Sequence, residues 1–166
     1  MSIFDYLNNM RKFIITLLIT GGVMFGLYAG GSGEKEIPTL GITDGKFVPC
    51  PESPNCVSTM APEDDKEHYI APLEYSGSRL MAYQHMLQAL DVYGKETVTI
   101  IQKDPETGYI RTEFRTKFFK FTDDVEIWLP EDDKIIHVRS ASRVGYGDMG
   151  ANRKRVEHLY KLFTRQ

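Results

Sequence analysis

Cysteine and histidine are scarce in this chain: two of the first and four of the second in 166 residues. A zinc site built on Cys50 and Cys56 would need two further ligands, and no histidine or cysteine stands at suitable spacing. His68, His85 and His158 fall in separate segments and suggest no metal cluster; no cofactor is expected. No G-x-S-x-G elbow is present, and Ser140 and His137, three residues apart on one strand, point to opposite faces. Nucleophilic catalysis is left without a motif. Positive charge is in slight deficit, and the formal net charge of −3 argues against general nucleic-acid binding, which needs a basic footprint to release counterions. Internal repeats are absent. The remaining composition, 42% hydrophobic and 26% charged, predicts one globular domain and not a disordered chain.

Charge is missing altogether from Phe13 to Gly31, a run of 19 residues. As a helix rising 1.5 Å per residue it would span roughly 28 Å, close to the hydrocarbon thickness of a bilayer. A buried helix of a soluble protein would normally carry one polar face, and this run has none. A transmembrane anchor or signal segment is therefore expected at residues 13–31, following a cytoplasmic head at 1–12. Arg11 and Lys12 before the run and the acidic Gly-Glu-Lys-Glu after it place the bulk of the chain outside the cytoplasm, on the periplasmic side. Ala29 and Gly31 have signal-peptidase spacing, but the run is long for a signal-peptide core, which favours an uncleaved anchor. No cysteine lies near its end to carry a lipid. Gly22, Gly26 and Gly30 share one helix face, a surface on which two copies could pack closely.

Residues 32–49 have no sustained period and read as a tether, leaving 50–166 as the extracytoplasmic domain. Its first stretch carries four prolines between Pro51 and Pro72 and is long for an unstructured loop, so something must hold it down. A helix is predicted from Ser78 to Tyr93, with Leu80, Tyr83, Leu87 and Leu90 on the inward stripe. Strands follow at 97–103 and 109–115, joined by Asp-Pro-Glu-Thr-Gly, then at 118–129 and 135–142. A last helix is predicted over 149–163, with Met149, Val156, Leu159, Tyr160 and Phe163 inward and Asp148 as N-cap. The order gives an α+β fold: an antiparallel four-stranded meander sheet with helices packed on one face. Pairing Leu129 with Ile136 and Ile127 with Val138 keeps apolar residues together and sets Glu126 opposite Arg139 and Trp128 opposite His137. That register leaves a second sheet face open and polar.

The densest chemistry lies in Arg139–Arg155, where four arginines and a lysine surround a Gly-Tyr-Gly-Asp turn. The turn ends a strand and opens a helix whose first N–H groups lack intrahelical partners. Asp124, Glu126, Arg139, Arg143, Asp148, Asn152 and Arg153 form the candidate ligand-binding set, an anion site at a helix terminus. The competing reading pairs Asp123, Asp124 and Glu126 internally with the arginines, as a clasp docking the last helix on the sheet. The same acidic trio could instead hold a divalent cation. Cys50 and Cys56, with five residues between them, most simply form a disulfide outside the cytoplasm; a redox pair, a metal site and free thiols are the alternatives.

Two of these stretches, SPNCVST (Ser53–Thr59) and DDVEIWL…IHVRSASRVGYGDMGANRKRVE (Asp123–Glu157), resemble a bacterial and plastid family, domain of unknown function fourteen-ninety-nine. The resemblance covers about Pro49 to Phe163. Matching positions include Cys50, Ser53, Pro54, Asn55, Cys56, Asp123, Asp124, Arg139, Ser140, Ser142, Arg143, Gly145, Asp148, Gly150, Asn152 and Arg153. It implies an envelope or chloroplast-associated domain and assigns no catalytic role. The expectation is thus a membrane-anchored binding module for an anionic small molecule, a lipid headgroup or a protein carboxylate. The rivals are an envelope hydrolase or metal-assisted enzyme and a structural or assembly component of the envelope.

Overall fold

In the computed structural model, the described residues are 39–94, 97–116 and 120–165. The head, the apolar run with Gly22, Gly26 and Gly30, and the first part of the tether lie outside them. No helix among the described residues is long and apolar enough to cross a membrane. Glu34–Gln166 forms one compact unit.

The described residues form an α+β unit of six strands and two helices. The strands are β1 (Cys56–Ser58), β2 (Leu73–Glu74), β3 (Val98–Asp104), β4 (Tyr109–Arg115), β5 (Thr122–Trp128) and β6 (Ile135–Ser142); the helices are α1 (Arg79–Tyr93) and α2 (Ala151–Phe163). β3 to β6 make the expected antiparallel meander, and the expected pairs Glu126–Arg139, Ile127–Val138 and Trp128–His137 are all present. The sheet does not stop at four strands. β1 and β2 both pair with β6, at its two ends, so the proline-rich stretch supplies part of the sheet. The Cys50–Cys56 disulfide holds the start of that stretch.

Gly108 closes the β3–β4 turn at φ +75°, where a Cβ would collide with the Leu129 carbonyl. α1 is capped by Ser78, whose side chain accepts from the Met81 N–H. Both helices share one core cluster with the sheet: Tyr83, Met86 and Leu90 from α1, Val156, Leu159 and Phe163 from α2, and Ile110, Phe114, Val125, Ile127, Ile136 and Val138 from the strands. Two inward assignments fail. Leu80 is 56% exposed, because Ala82 and Ala89 carry the buried stripe with Tyr83, Met86 and Leu90. Met149 is 97% exposed, because α2 begins two residues later, at Ala151.

The second sheet face is not open. Residues 39–49, expected to be tether, lie against it as a strap, at least through Gly41, whose N–H donates to Glu126 Oε1 at 2.7 Å. Phe47 is buried, and its N–H meets Met60 Sδ at 3.3 Å. Thr59 then reaches β6, donating its N–H to the Val138 carbonyl. Glu126 and Arg139, placed by register on a polar face, are consequently both buried.

Candidate functional site

Strand alternation sorts the charged residues into two groups. On the covered face, Arg143 grips Asp124 with Nε on Oδ2 at 2.7 Å and Nη2 on Oδ1 at 2.8 Å, and also bonds Glu113. Arg111 reaches the same Asp124 at 3.4 Å. Bidentate geometry of this kind uses the guanidinium fork fully. The Asp124 and Glu113 bonds raise the Arg143 guanidinium further above its already high range. Deeper on this face, Glu126 accepts from Tyr109 at 2.8 Å, from the Gly41 N–H, and from Arg139 Nη1 at 3.4 Å. Burial pushes the Glu126 carboxyl up, and the Tyr109 hydroxyl, Arg139 and Gly41 pull the other way. Burial lowers Arg139 against the pull of Glu126 and Asp124. Three acids and three arginines thus alternate in one array.

On the helix side, Asp123 binds Arg155, which also donates to Ser140 Oγ at 2.9 Å and to Asn152 Oδ1. The acidic trio is therefore divided between faces, each member with an arginine. Among the described residues, no group of three or more His, Cys, Asp or Glu is placed to hold a metal. Asn152 sits fully buried at the hub. Its Oδ1 also accepts from Ser140 Oγ at 2.6 Å, while Nδ2 lies within donating distance of the Asn55 carbonyl, Ser142 Oγ and Asp148 Oδ2.

The terminus of α2 is likewise occupied from within. Asp148 accepts from the Gly150 N–H at 2.8 Å and the Asn152 N–H at 2.7 Å, so it performs the expected capping although Gly150 holds the N-cap position. The Gly145 carbonyl accepts from Asn55 Nδ2 at 2.6 Å. Arg153 donates Nη2 to the carbonyls of Lys66, Glu67 and Tyr69 and so ties α2 to the loop before β2. The network fixes the loop 145–150 at both ends. Held between them, Tyr146 is 77% exposed and Met149 97%. Met149 adopts φ 54°, a left-handed conformation that is uncommon for a residue with a side chain. Beside it lies a cleft of about 370 Å³ lined by Pro54, Val57, Lys66, Glu67 and Arg153 as well as the loop itself.

A family model described as Protein of unknown function (DUF1499) matches residues 46–163. The chain belongs to that family. No curated protein and no solved structure matches it. The DUF1499 match takes in the disulfide loop, the arginine array and the 145–150 loop together.

Of the candidate set, the structure brings Asp124, Glu126, Arg139 and Arg143 together on the sheet face that Gly41 meets, and Asp148 and Asn152 together at the start of α2. Arg153 stands apart at the cleft. Sequence reasoning missed Arg155, although its position three residues after Asn152 puts both on one helix face. It also missed Asp65 and His68, which belong to the domain's second polar feature. Asp65 Oδ2 bonds His68 Nδ1 at 2.8 Å. Burial by itself would lower the His68 imidazole, but the Asp65 hydrogen bond, the Ser53 carbonyl and nearby carboxylates outweigh it and raise it. Asp65 is lowered, first by its side-chain bond to His68.

A raised histidine stabilises the fold fully below its unfolded value, about 6.5, and that contribution disappears as pH rises through the folded value. Asp65 sets the acid limit: its contribution is present above about 3.9 and is lost as pH falls through its lowered folded value. His137, lowered by burial, acts with the opposite sign to His68. NMR titration is expected to place His68 above and His137 below the usual histidine value. In urea unfolding, the stability difference between wild type and His68→Gln should be largest near pH 5 and shrink by pH 8.

Proposed function

We propose that this DUF1499 chain is a membrane-anchored, extracytoplasmic binding module, not an enzyme, and that its recognition element is the loop 145–150 with the cleft beside it. The observation that carries the reading is Met149: a large apolar side chain held in water, in a left-handed backbone, by an otherwise buried polar network. Backbone strain of this kind costs about 1–2 kcal/mol and persists where the surroundings over-determine it, commonly at binding sites. Arg139 and Arg143 act here as internal clasp residues, so the anion is met elsewhere, by Lys66 and Arg153 at the cleft. The ligand that suits an apolar tip beside cationic groups is an anionic lipid headgroup, with Tyr146 and Met149 entering the acyl boundary. The uncharged run at 13–31 supports the anchor, and the disulfide supports an oxidising compartment.

The test uses the Glu34–Gln166 unit in co-sedimentation with vesicles containing phosphatidylglycerol. Binding is expected to exceed that to pure phosphatidylcholine vesicles and to fall at least about five-fold in Met149→Gly and in Lys66→Glu, consistent with about 1 kcal/mol per surface cation. Met149→Gly should leave unfolding stability within about 1 kcal/mol, since relief of the left-handed strain offsets the entropy glycine adds to the unfolded chain. Equal binding to both vesicle types, or unchanged binding by both variants, contradicts the proposal.

A further inference from the structure

The disulfide loop separates two cavities. Cys56 borders the cleft beside Met149, and Cys50 borders a second cavity of about 510 Å³ on the other side. That volume is in the range of small-molecule sites, which are mostly apolar with a few convergent polar groups. The walls fit this pattern: Phe47, Val48 and Pro49 from the strap, Pro51 from the disulfide loop, Met60 and Pro62 from the segment after β1. The Phe47 N–H bond to Met60 Sδ latches the strap wall to the opposite one.

The polar groups on the cavity lining are Ser58, Asp65 and His68, with Lys46 and Glu52 adding one charge of each sign. Ser58 and His68 are neighbours, since the Ser58 N–H donates to the His68 carbonyl at 2.8 Å. Both side chains are at least nine-tenths buried. Their acceptors are largely used. Asp65 Oδ1 accepts the N–H groups of Glu67 and His68, and Oδ2 takes His68 Nδ1. Ser58 Oγ accepts from the Met60 N–H at 3.1 Å. What remains is donating capacity. The Ser58 hydroxyl proton meets no acceptor among the described residues. With Asp65 bound to Nδ1, Nε2 carries a proton in the charged form of the imidazole, and its contact is a stretched one to the Ser53 carbonyl at 3.4 Å. Buried donors without good acceptors are costly and call for a partner.

We propose that this cavity binds a small carboxylate with an apolar body, the Ser58 hydroxyl and His68 Nε2–H holding the carboxylate and the proline-rich walls enclosing the rest. With the imidazole charged, the Asp65–His68 pair is close to neutral as a unit, so an incoming carboxylate meets a hydrogen-bonding site and not a net negative one.

Octanoate serves as the probe, titrated calorimetrically into the oxidised Glu34–Gln166 unit, with octylamine as the same body bearing the opposite head. Octanoate is expected to bind saturably, to shift the His68 ring signals in NMR spectra, and to bind at least ten-fold more tightly than octylamine. Ser58→Ala, and Ala61→Trp, which fills the cavity, should each weaken it at least ten-fold, while Met149→Gly should not. His68→Gln should match Ser58→Ala; if that variant does not fold, Ser58→Ala and Ala61→Trp decide. No saturable octanoate binding, equal affinity for octylamine, or affinity unchanged in the Ser58 and Ala61 variants overturns the proposal.

Discussion

Glu126→Ala is expected to lower the unfolding free energy by about 3–5 kcal/mol, the usual cost of removing one partner from a buried ion pair. Arg139 is 3% exposed, and Glu126 is the carboxylate it contacts among the described residues. Its Nε already has no partner among the described residues, so the variant would leave a buried guanidinium with little compensation. The Tyr109 hydroxyl and the Gly41 N–H would lose their acceptor in the same step. A loss of this size is a large part of the 5–15 kcal/mol that holds a typical domain together. The double variant Glu126→Leu/Arg139→Met should recover most of it, because desolvation offsets most of a buried pair's attraction. Urea unfolding of the single and double variants measures both effects and their coupling. A single-variant cost below about 1 kcal/mol would mean that the pair is solvated and the strap does not cover it.

Asn152→Ala should cost about 3 kcal/mol, for a different reason. No charge is stranded outright, but Ser140 and Arg155 lose the acceptor at Oδ1, and the Asn55 carbonyl and Ser142 lose the donor at Nδ2. Each buried polar group left unsatisfied costs about 1–3 kcal/mol, with partial relaxation expected among neighbours. The effect should be local as well as global. Asn55 and Asp148 are the groups that hold the two ends of the 145–150 loop, and both lean on Asn152. Native-state hydrogen exchange should therefore show the Gly150 and Asn152 amides losing protection in the variant well before the amides of β5. Uniform loss across the domain would make Asn152 a general stability residue with no special link to the loop.

The β5–β6 register was legible because one apolar face leaves only one pairing that keeps Ile127, Val138 and Ile136 together. Burial of the opposite face was not. It depends on a strap with no period, docked through contacts such as Gly41 to Glu126, 85 residues apart in sequence. Met149 was misread because helical spacing was carried two residues too far back. The left-handed turn at Met149 and Gly150 interrupts the helix there, and the side chain that periodicity points inward goes out. Leu80 was misread by weighting leucine over alanine, when close packing of α1 uses Ala82 and Ala89. The arginine array was legible as a set of residues but not as a set of partners: alternation sends Asp123 to Arg155 under α2, and Asp124 and Glu126 to the other face. The Cys50–Cys56 disulfide, read from close spacing and an expected extracytoplasmic address, is present in the structure.

A buried polar network holds the 145–150 loop rigid so that Tyr146 and Met149 stand in solvent. Backbone ¹⁵N relaxation of Tyr146 to Met149 tests it most directly. The network predicts order parameters near 0.85, as in β5 and β6; values below about 0.6 in the wild-type domain would contradict it.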